Sequence, residues 1–267
     1  MIGDLAPQAV LLRGFATDFL TSHDEAEVGR IMDPAYRLSI GGFLLDGRDE
    51  SYFPATAAQL AQFPGLCVTV HDAIIGTDHV AMRFTEHGAS VREGGRVAAW
   101  GGVTLFRIAG GRLAEGWAEE DYFARKRQLK SGLCDPIREP GAAPWDQPAT
   151  PPDERTEDVV RAWLGQPLFI ADPVVDEIQI GGPGFASLID PGEVVLNTLF
   201  TAGPRAAFHL DLVGTYRGGF DDLDQAAVGQ AVTLRLAGMV DVDDGAVVRA
   251  QISGDRLGFQ RSLRARG

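Results

Sequence analysis

Residues 95–129 read GRVAAWGGVTLFRIAGGRLAEGWAEEDYFARKRQL, and residues 229–263 read GQAVTLRLAGMVDVDDGAVVRAQISGDRLGFQRSL. The two stretches align without a gap at a shift of 134 residues. Gly95 meets Gly229, Gly111 meets Gly245, Asp121 meets Asp255, Arg127 meets Arg261 and Leu129 meets Leu263. Upstream, Arg83 meets Arg217 at the same shift, Asp33-Pro34 recurs as Asp172-Pro173, and Ile40-Gly41-Gly42 recurs as Ile180-Gly181-Gly182. Ordered matches of this kind describe one unit built twice. Between the copies stand Pro136, Pro140, Pro144, Pro148, Pro151 and Pro152. Proline at that density excludes both a helix and a central strand. The expected organisation is a domain at 1–134, a Pro-rich linker at 135–155 and a second, diverged domain at 156–267.

Within the first copy, Leu11, Leu12, Phe15 and Phe19 fall on one face of a helix over about residues 5–21. This reads as an intact first helix and not a cleaved leader. Strands are expected near 66–74, 78–87, 96–108 and 112–121. Gly110-Gly111 supplies the hairpin between the last two, because glycine accepts positive φ. Asp243-Asp244-Gly245 does the same in the second copy, whose first helix is expected to start at Thr156 as N-cap. Helices first and an antiparallel meander after give an α+β domain, a curved sheet wrapped around helices with a pocket between them.

A length of 267 residues suits two domains, and 45% apolar with 23% charged residues is a globular composition. The formal net charge of −13 argues against nucleic acid as a partner. No apolar run has the length of a membrane span. The basic cluster Arg125, Lys126, Arg127 and Lys130 reads as a solvated surface. Cys67 and Cys134 cannot form a four-thiolate site and fit no redox motif. Free thiols in a reducing cytoplasm are the simplest reading, with Cys67 buried in its apolar run. His71, His79 and His87 lie eight apart, without metal-ligand spacing, so neither a metal nor a cofactor is expected. There is no Walker A loop, nucleophile elbow or dinucleotide fingerprint.

The first copy resembles the SnoaL-like polyketide cyclases, a branch of the NTF2-like superfamily. The likeness rests on Phe63-Pro64-Gly65-Leu66, on the stretch from Asp78 to Arg83, and on Phe106-Arg107-Ile108 through Gly111-Arg112-Leu113 to Glu115, Trp117 and Asp121. The second copy keeps Asp255 but has Gln251 where Trp117 stands. The resemblance implies two tandem cone-shaped (cystatin-like) domains, the first with the better pocket. It also implies an aspartate, here Asp121, that removes an activated C–H proton so that the enolate closes a ring. Where the family often reads Gly-Thr-His after the arginine strand, this chain has Gly88-Ala89-Ser90.

Asp121 is therefore the first candidate base. By alternation it shares a strand face with Glu115, Trp117 and Glu119. A carboxylate beside an indole in a dry pocket has its pKa raised by desolvation, which suits general-base work near neutrality. The alternative is that Asp121 caps the segment after it, and its recurrence as Asp255 favours that reading. Arg83 would stabilise an oxyanion, or else form a structural salt bridge as Arg217 would. His87 is the candidate proton donor. Trp117, Trp100, Glu119 and Tyr36 are candidate ligand-binding residues, with the tryptophans alternatively in the core. The expected function is a cofactor-independent cyclase or isomerase acting on a small apolar carbonyl compound. Two alternatives stand beside it. One is an epoxide hydrolase-like activity, which relatives perform with an Asp-Arg-Asp set; Arg83 and Asp121 would be two members, but Thr85 stands in the place of the third, which makes it the weaker enzyme reading. The other is a non-catalytic small-ligand-binding or scaffold protein. In either case the second copy would be a built-in partner, giving an intramolecular pseudo-dimer, with a homodimer also open.

Overall fold

The computed structural model describes residues 5–264; residues 1–4 and 265–267, the outer ends of the two expected domains, lie outside it. The chain opens with α1 (Pro7–Arg13), which runs on as a π-helical segment over Gly14–Thr21. Proline at the start is favourable there, since the first helical N–H groups have no partner to lose. Helix α2 (Glu25–Ile31) follows, with Asp24 accepting the Ala26 N–H at 3.0 Å as its N-cap. Strands β1 (Met32–Ile40) and β2 (Phe43–Asp46) form a hairpin whose turn is Gly41-Gly42, both at positive φ. A π-turn at Arg48–Tyr52 leads into α3 (Phe53–Gln62). The meander β3 (Cys67–Ile75), β4 (His79–Ser90), β5 (Arg96–Ala109) and β6 (Arg112–Glu120) then ends in α4 (Tyr122–Ser131). The sheet order is β2-β1-β6-β5-β4-β3, antiparallel throughout except that β1 runs parallel to β6.

The second half comprises α5 (Glu154–Leu164), a 3-10 turn at Pro167–Ala171, β7 (Val175–Glu177) and α6 (Phe185–Leu188). Strands β8 (Ile189–Ala202), β9 (Arg205–Tyr216), β10 (Ala231–Asp243) and β11 (Ala246–Gly254) follow, then α7 (Arg256–Arg264). Its sheet order, β7-β11-β10-β9-β8, repeats the first sheet with the outermost hairpin strand missing, and β7 again runs parallel to β11. The chain is thus two tandem α+β units of one architecture.

Helix α5 starts one turn earlier than its sequence suggests. Asp153, not Thr156, is the N-cap, and it accepts the Thr156 N–H at 2.7 Å. Thr156 is instead buried within the first turn. Losing a capping carboxylate leaves an orphan N–H, so Asp153→Ala is expected to cost about 1 kcal/mol. Asp153→Asn should restore most of that loss in urea unfolding, since asparagine caps as well as aspartate.

Each sheet has two covered faces. The concave face of the first packs on α1 and its continuation through Leu12, Phe15 and Phe19 against Tyr36, Val80, Met82, Phe84, Trp100 and Phe106. The second sheet does the same with Phe185, Phe208, Leu210, Leu234 and Phe259. The convex faces pack on each other. Ile74, Ala81, Val103 and Leu105 of the first unit meet Ile178, Phe200, Ala202, Ala207, Ala237 and Met239 of the second. At one edge Arg205 bridges Asp72 at 2.6 Å and Asp241 at 2.9 Å.

The repeated Gly-Gly turns serve the junction between the units. Gly41 donates its N–H to Glu119 at 3.3 Å, and any side chain on Gly42 would strike the guanidinium of Arg235. Reciprocally, the Gly181 carbonyl accepts from Arg256 at 2.7 Å, and Gly182 leaves room for that same arginine.

Candidate active site

A cavity of about 110 Å³ lies between the concave face of the first sheet and its helices. Phe15, Tyr36, Tyr52, Phe84, Phe106 and Tyr122 give it aromatic walls, and Leu20, Leu38, Ile40 and Leu45 complete the apolar lining. Its polar groups are Thr56, Gln59, Glu86, Thr104 and Glu120. Two of these are carboxyls in an otherwise greasy space.

Alternation explains why they point inward. On β4, Val80, Met82 and Phe84 face the core, so Glu86 does too. On β6 the outcome turns on a bulge. Arg107 pairs with Glu115 but Ile108 pairs with Leu113, leaving Ala114 unpaired. The extra residue reverses the faces. Leu113 is inward before it; Ala118 and Glu120 are inward after it. Glu115, Trp117 and Glu119 therefore do not reach the cavity.

Glu86, Trp100 and Glu120 sit side by side on β4, β5 and β6, with Glu86 opposite Trp100 in the register. The Trp100 indole Nε1–H donates to Glu120 Oε2 at 2.9 Å. Gln59 on α3 donates its side-chain N–H to Glu86 Oε2 at 2.7 Å. Both carboxyls are buried. Burial pushes both pKa values up, Glu86 well above the ordinary range, and repulsion from Glu120 pushes Glu86 further. The Trp100 N–H, Arg125 and Tyr122 oppose the shift at Glu120. Arg125, Trp100 and Gln59 oppose it at Glu86 as well, but the rise is the larger there, which favours the proton on Glu86 when the pair, titrating as a unit, holds one.

Arg125 supplies the compensating positive charge. Its guanidinium lies 4.2 Å from the Tyr122 ring centroid and 5.0 Å from that of Trp100. It also donates to Gln59 Oε1 at 3.3 Å. The basic cluster is thus not wholly a solvated surface: Arg125 belongs to the site, and Arg127 binds Asp135 and the Ile180 carbonyl.

Of the residues singled out in the sequence, Tyr36 lines the cavity and Trp100 abuts it. The others are elsewhere. Trp117 packs in the seam between the two sheets. Glu119 is buried in the same seam, where its Oε1 accepts from His209 Nε2 at 3.0 Å, the imidazole Nδ1 being turned to Asn197 at 3.0 Å. Burial holds His209 down to about 4, so the ring is neutral near pH 7. Arg83 and His87 have the outward parity of β4. Among the described residues Arg83 has no ion pair within 4 Å and its Nε is buried without a partner, while His87 meets Thr69 at 3.2 Å. Asp121 is an N-cap: its Oδ1 accepts the Ala124 N–H at 3.1 Å, and Arg256 of the second unit holds both its oxygens, at 3.3 and 2.5 Å. Cys67 is partly exposed, not buried, because β3 is the sheet's edge strand.

Glu86, Glu120, Gln59, Tyr52 and Tyr122 are the lining residues the sequence reading passed over. A faint signal existed. Val80, Met82, Phe84 and Glu86 are alternate residues of one strand, so a charge closes an apolar face. Among the described residues no cluster of three or more His, Cys, Asp or Glu is placed to hold a metal ion. No helix among them is long and apolar enough to cross a membrane.

The raised carboxyls also predict a pH effect on stability. A carboxyl whose folded pKa exceeds its unfolded value favours the fold fully below the unfolded value, ordinarily 4.5 for glutamate. That contribution is lost as pH rises through the folded value. Glu86→Gln removes this loss. Its melting temperature relative to the parent chain should therefore climb from pH 4.5 towards pH 8, as read by calorimetry.

An α+β unit with a carboxyl-bearing cavity between its sheet and its helices is the class of domain the fold and site define. Residues 10–129 match the family model of the SnoaL-like polyketide cyclases. Solved structures of similar shape include TsrD from Streptomyces laurentii, at 23% identity over 47% of this chain and 98% of that one, with a TM-score of 0.42. A SnoaL-like protein from Jannaschia sp. CCS1 matches at 19% identity over 48% and 96%, TM-score 0.44. IdmH from Streptomyces antibioticus matches at 19% identity over 46% and 98%, TM-score 0.41. No curated protein matches the chain.

Proposed function

We propose that the N-terminal domain is a cofactor-independent acid–base catalyst of the cyclase or isomerase type, acting on a small, uncharged, apolar carbonyl compound. The observation that carries this reading is the buried pair Glu86 and Glu120 in an aromatic-walled cavity. Glu120, charged and held by the Trp100 N–H, removes a proton from the carbon next to a carbonyl. Glu86, protonated, donates to the carbonyl oxygen, so an enol forms in place of a charged enolate. In a cyclase the enol carbon then attacks a second carbonyl of the same molecule. One C–C bond forms as the enol O–H returns its proton to Glu86 and Glu120 passes the abstracted proton to the new alkoxide oxygen, so the pair ends in its starting state. Asp121 has no part in these steps because Arg256 occupies both its oxygens.

The second unit supports this reading as a built-in partner. Its sheet covers the convex face of the first, and Gly254, Leu234 and Phe259 stand where the first has Glu120, Trp100 and Arg125. Gly254 abuts Phe185 and Leu236, so that space is filled by core.

Enolisation can be read without knowing the product. A panel of mono- and bicyclic aryl β-diketones in D₂O, followed by proton NMR, reports exchange of the α-hydrogens. The full chain is expected to accelerate exchange of at least one member over buffer. If none exchanges faster, yet one raises the melting temperature, the domain is a binding protein and the catalytic reading fails.

A further inference from the structure

Arg256 is the first residue of α7, in the second unit, yet its side chain is spent on the first. It is fully buried. Nε and Nη2 clasp the two oxygens of Asp121, Nη1 donates to the Gly181 carbonyl at 2.7 Å and the Pro183 carbonyl at 3.3 Å, and the guanidinium lies 4.8 Å from the Phe123 ring centroid. A planar fork held at this many points fixes its carboxylate partner in place. Asp121 in turn caps α4 through Ala124. The first turn of α4 carries Tyr122, which lines the cavity, and Arg125, whose guanidinium faces the carboxyl pair.

We infer that Arg256 is a positioning residue for the carboxyl pair of the other unit: by clamping Asp121 it sets the first turn of α4, and with it Tyr122 and Arg125, against Glu86 and Glu120. The clamp's catalytic meaning rests on the acid–base reading above. Three observations carry it. First, the path is continuous: Arg256 to Asp121, Asp121 to the α4 cap, Arg125 to Gln59 and Gln59 to Glu86. Second, among the described residues Arg125 forms no ion pair within 4 Å, so its effect on the pair is a field across a gap and changes as α4 moves. Third, the clamp exists only where the pair exists. Asp255, the counterpart of Asp121, caps α7 through Gly258 at 2.7 Å. Its nearest arginine, Arg235, stands off at 3.9 Å, and its Oδ2 is buried without a partner. Tyr122 is the first-unit counterpart of Arg256, so the clasp is one-way.

The test uses the full chain with carboxyl-¹³C glutamate, the Glu86 and Glu120 signals being assigned from Glu86→Gln and Glu120→Gln. The pair is faced by Tyr52, Thr56 and Gln59 from the α3 side, Trp100 and Thr104 from β5, and Tyr122 and Arg125 from α4. Among these Arg125 is the cation, and it lowers both carboxyls. Arg256→Lys and the double variant Asp121→Asn with Arg256→Gln, which leaves no buried charge unpaired, are titrated beside the parent. Both midpoints are expected to move up in the double variant and by less in Arg256→Lys. Where exchange is measurable, its rate at pH 7 should fall about 10²-fold, with its pH profile displaced in the same direction. Folded variants with unmoved midpoints overturn the inference even if the parent chain catalyses exchange. Displaced midpoints without exchange in the parent leave the positioning intact and overturn the catalytic reading.

Discussion

Glu120→Gln is expected to slow α-hydrogen exchange by about 10²- to 10⁴-fold, the range lost when a positioned general base is removed. Glutamine has nearly the same shape, and its carbonyl oxygen still accepts the Trp100 N–H that now reaches Glu120 at 2.9 Å. On the proposed reading, what disappears is the group that takes the proton. Stability should not fall with activity. A buried carboxyl whose charged form is disfavoured by desolvation is replaced by a neutral amide, so the melting temperature near pH 7 should hold or rise. That combination separates a lost base from a damaged fold. The informative comparison is Asp121→Asn. It keeps a capping side chain and is expected to act on rate only through α4. If, at equal folded fraction, Asp121→Asn is slower than Glu120→Gln, the family aspartate is the base and the assignment to Glu120 is wrong.

The largest effect on stability is expected from Arg256→Met. Asp121 would stay buried, 1% exposed, without its cation. Breaking a buried pair by removing one partner typically costs about 3–5 kcal/mol, because the remaining charge has neither water nor a counter-ion. Two peptide carbonyls, Gly181 and Pro183, lose a donor as well. Adding Asp121→Asn should recover most of the loss, since no charge is then stranded. Urea unfolding of the three chains, with midpoint and slope both recorded, measures it. A single variant within about 0.5 kcal/mol of the parent, the scale of ordinary surface substitutions, would mean the pair is not buried in solution as it is here.

Much of the architecture was legible from residues alone. The constant offset between 95–129 and 229–263, the proline run and the glycine hairpins all report local chemistry or internal repetition, and local rules read them. The resemblance at Phe63-Pro64-Gly65-Leu66 and from Phe106 to Asp121 pointed to the family that residues 10–129 match. The side-chain faces were not legible. Alternation counted back from Asp121 puts Glu115, Trp117 and Glu119 on one face, and so they are, but it is the face covered by the second sheet. One unpaired residue, Ala114, decides that, and nothing in its identity announces a bulge.

The Asp121 and Asp255 matches show how far a repeat can be read. By sequence the two aspartates are equivalent, and both indeed cap the helix after them. Only the packed chain reveals that one is clasped by an arginine from the other copy and the other is not, because that contact joins residues 135 positions apart. The same holds for Arg125, which reads as one member of a charged surface run until Trp100 and Tyr122 are brought under it. Residue order and periodicity thus determined that this protein is one α+β unit built twice, with the first copy carrying the pocket-forming sequence. Which carboxyls enter the cavity, which aspartate is occupied and what the second copy holds in place were decided only by tertiary structure. Those outcomes depend on strand register and on contacts across the two sheets, and neither is a property of any local stretch.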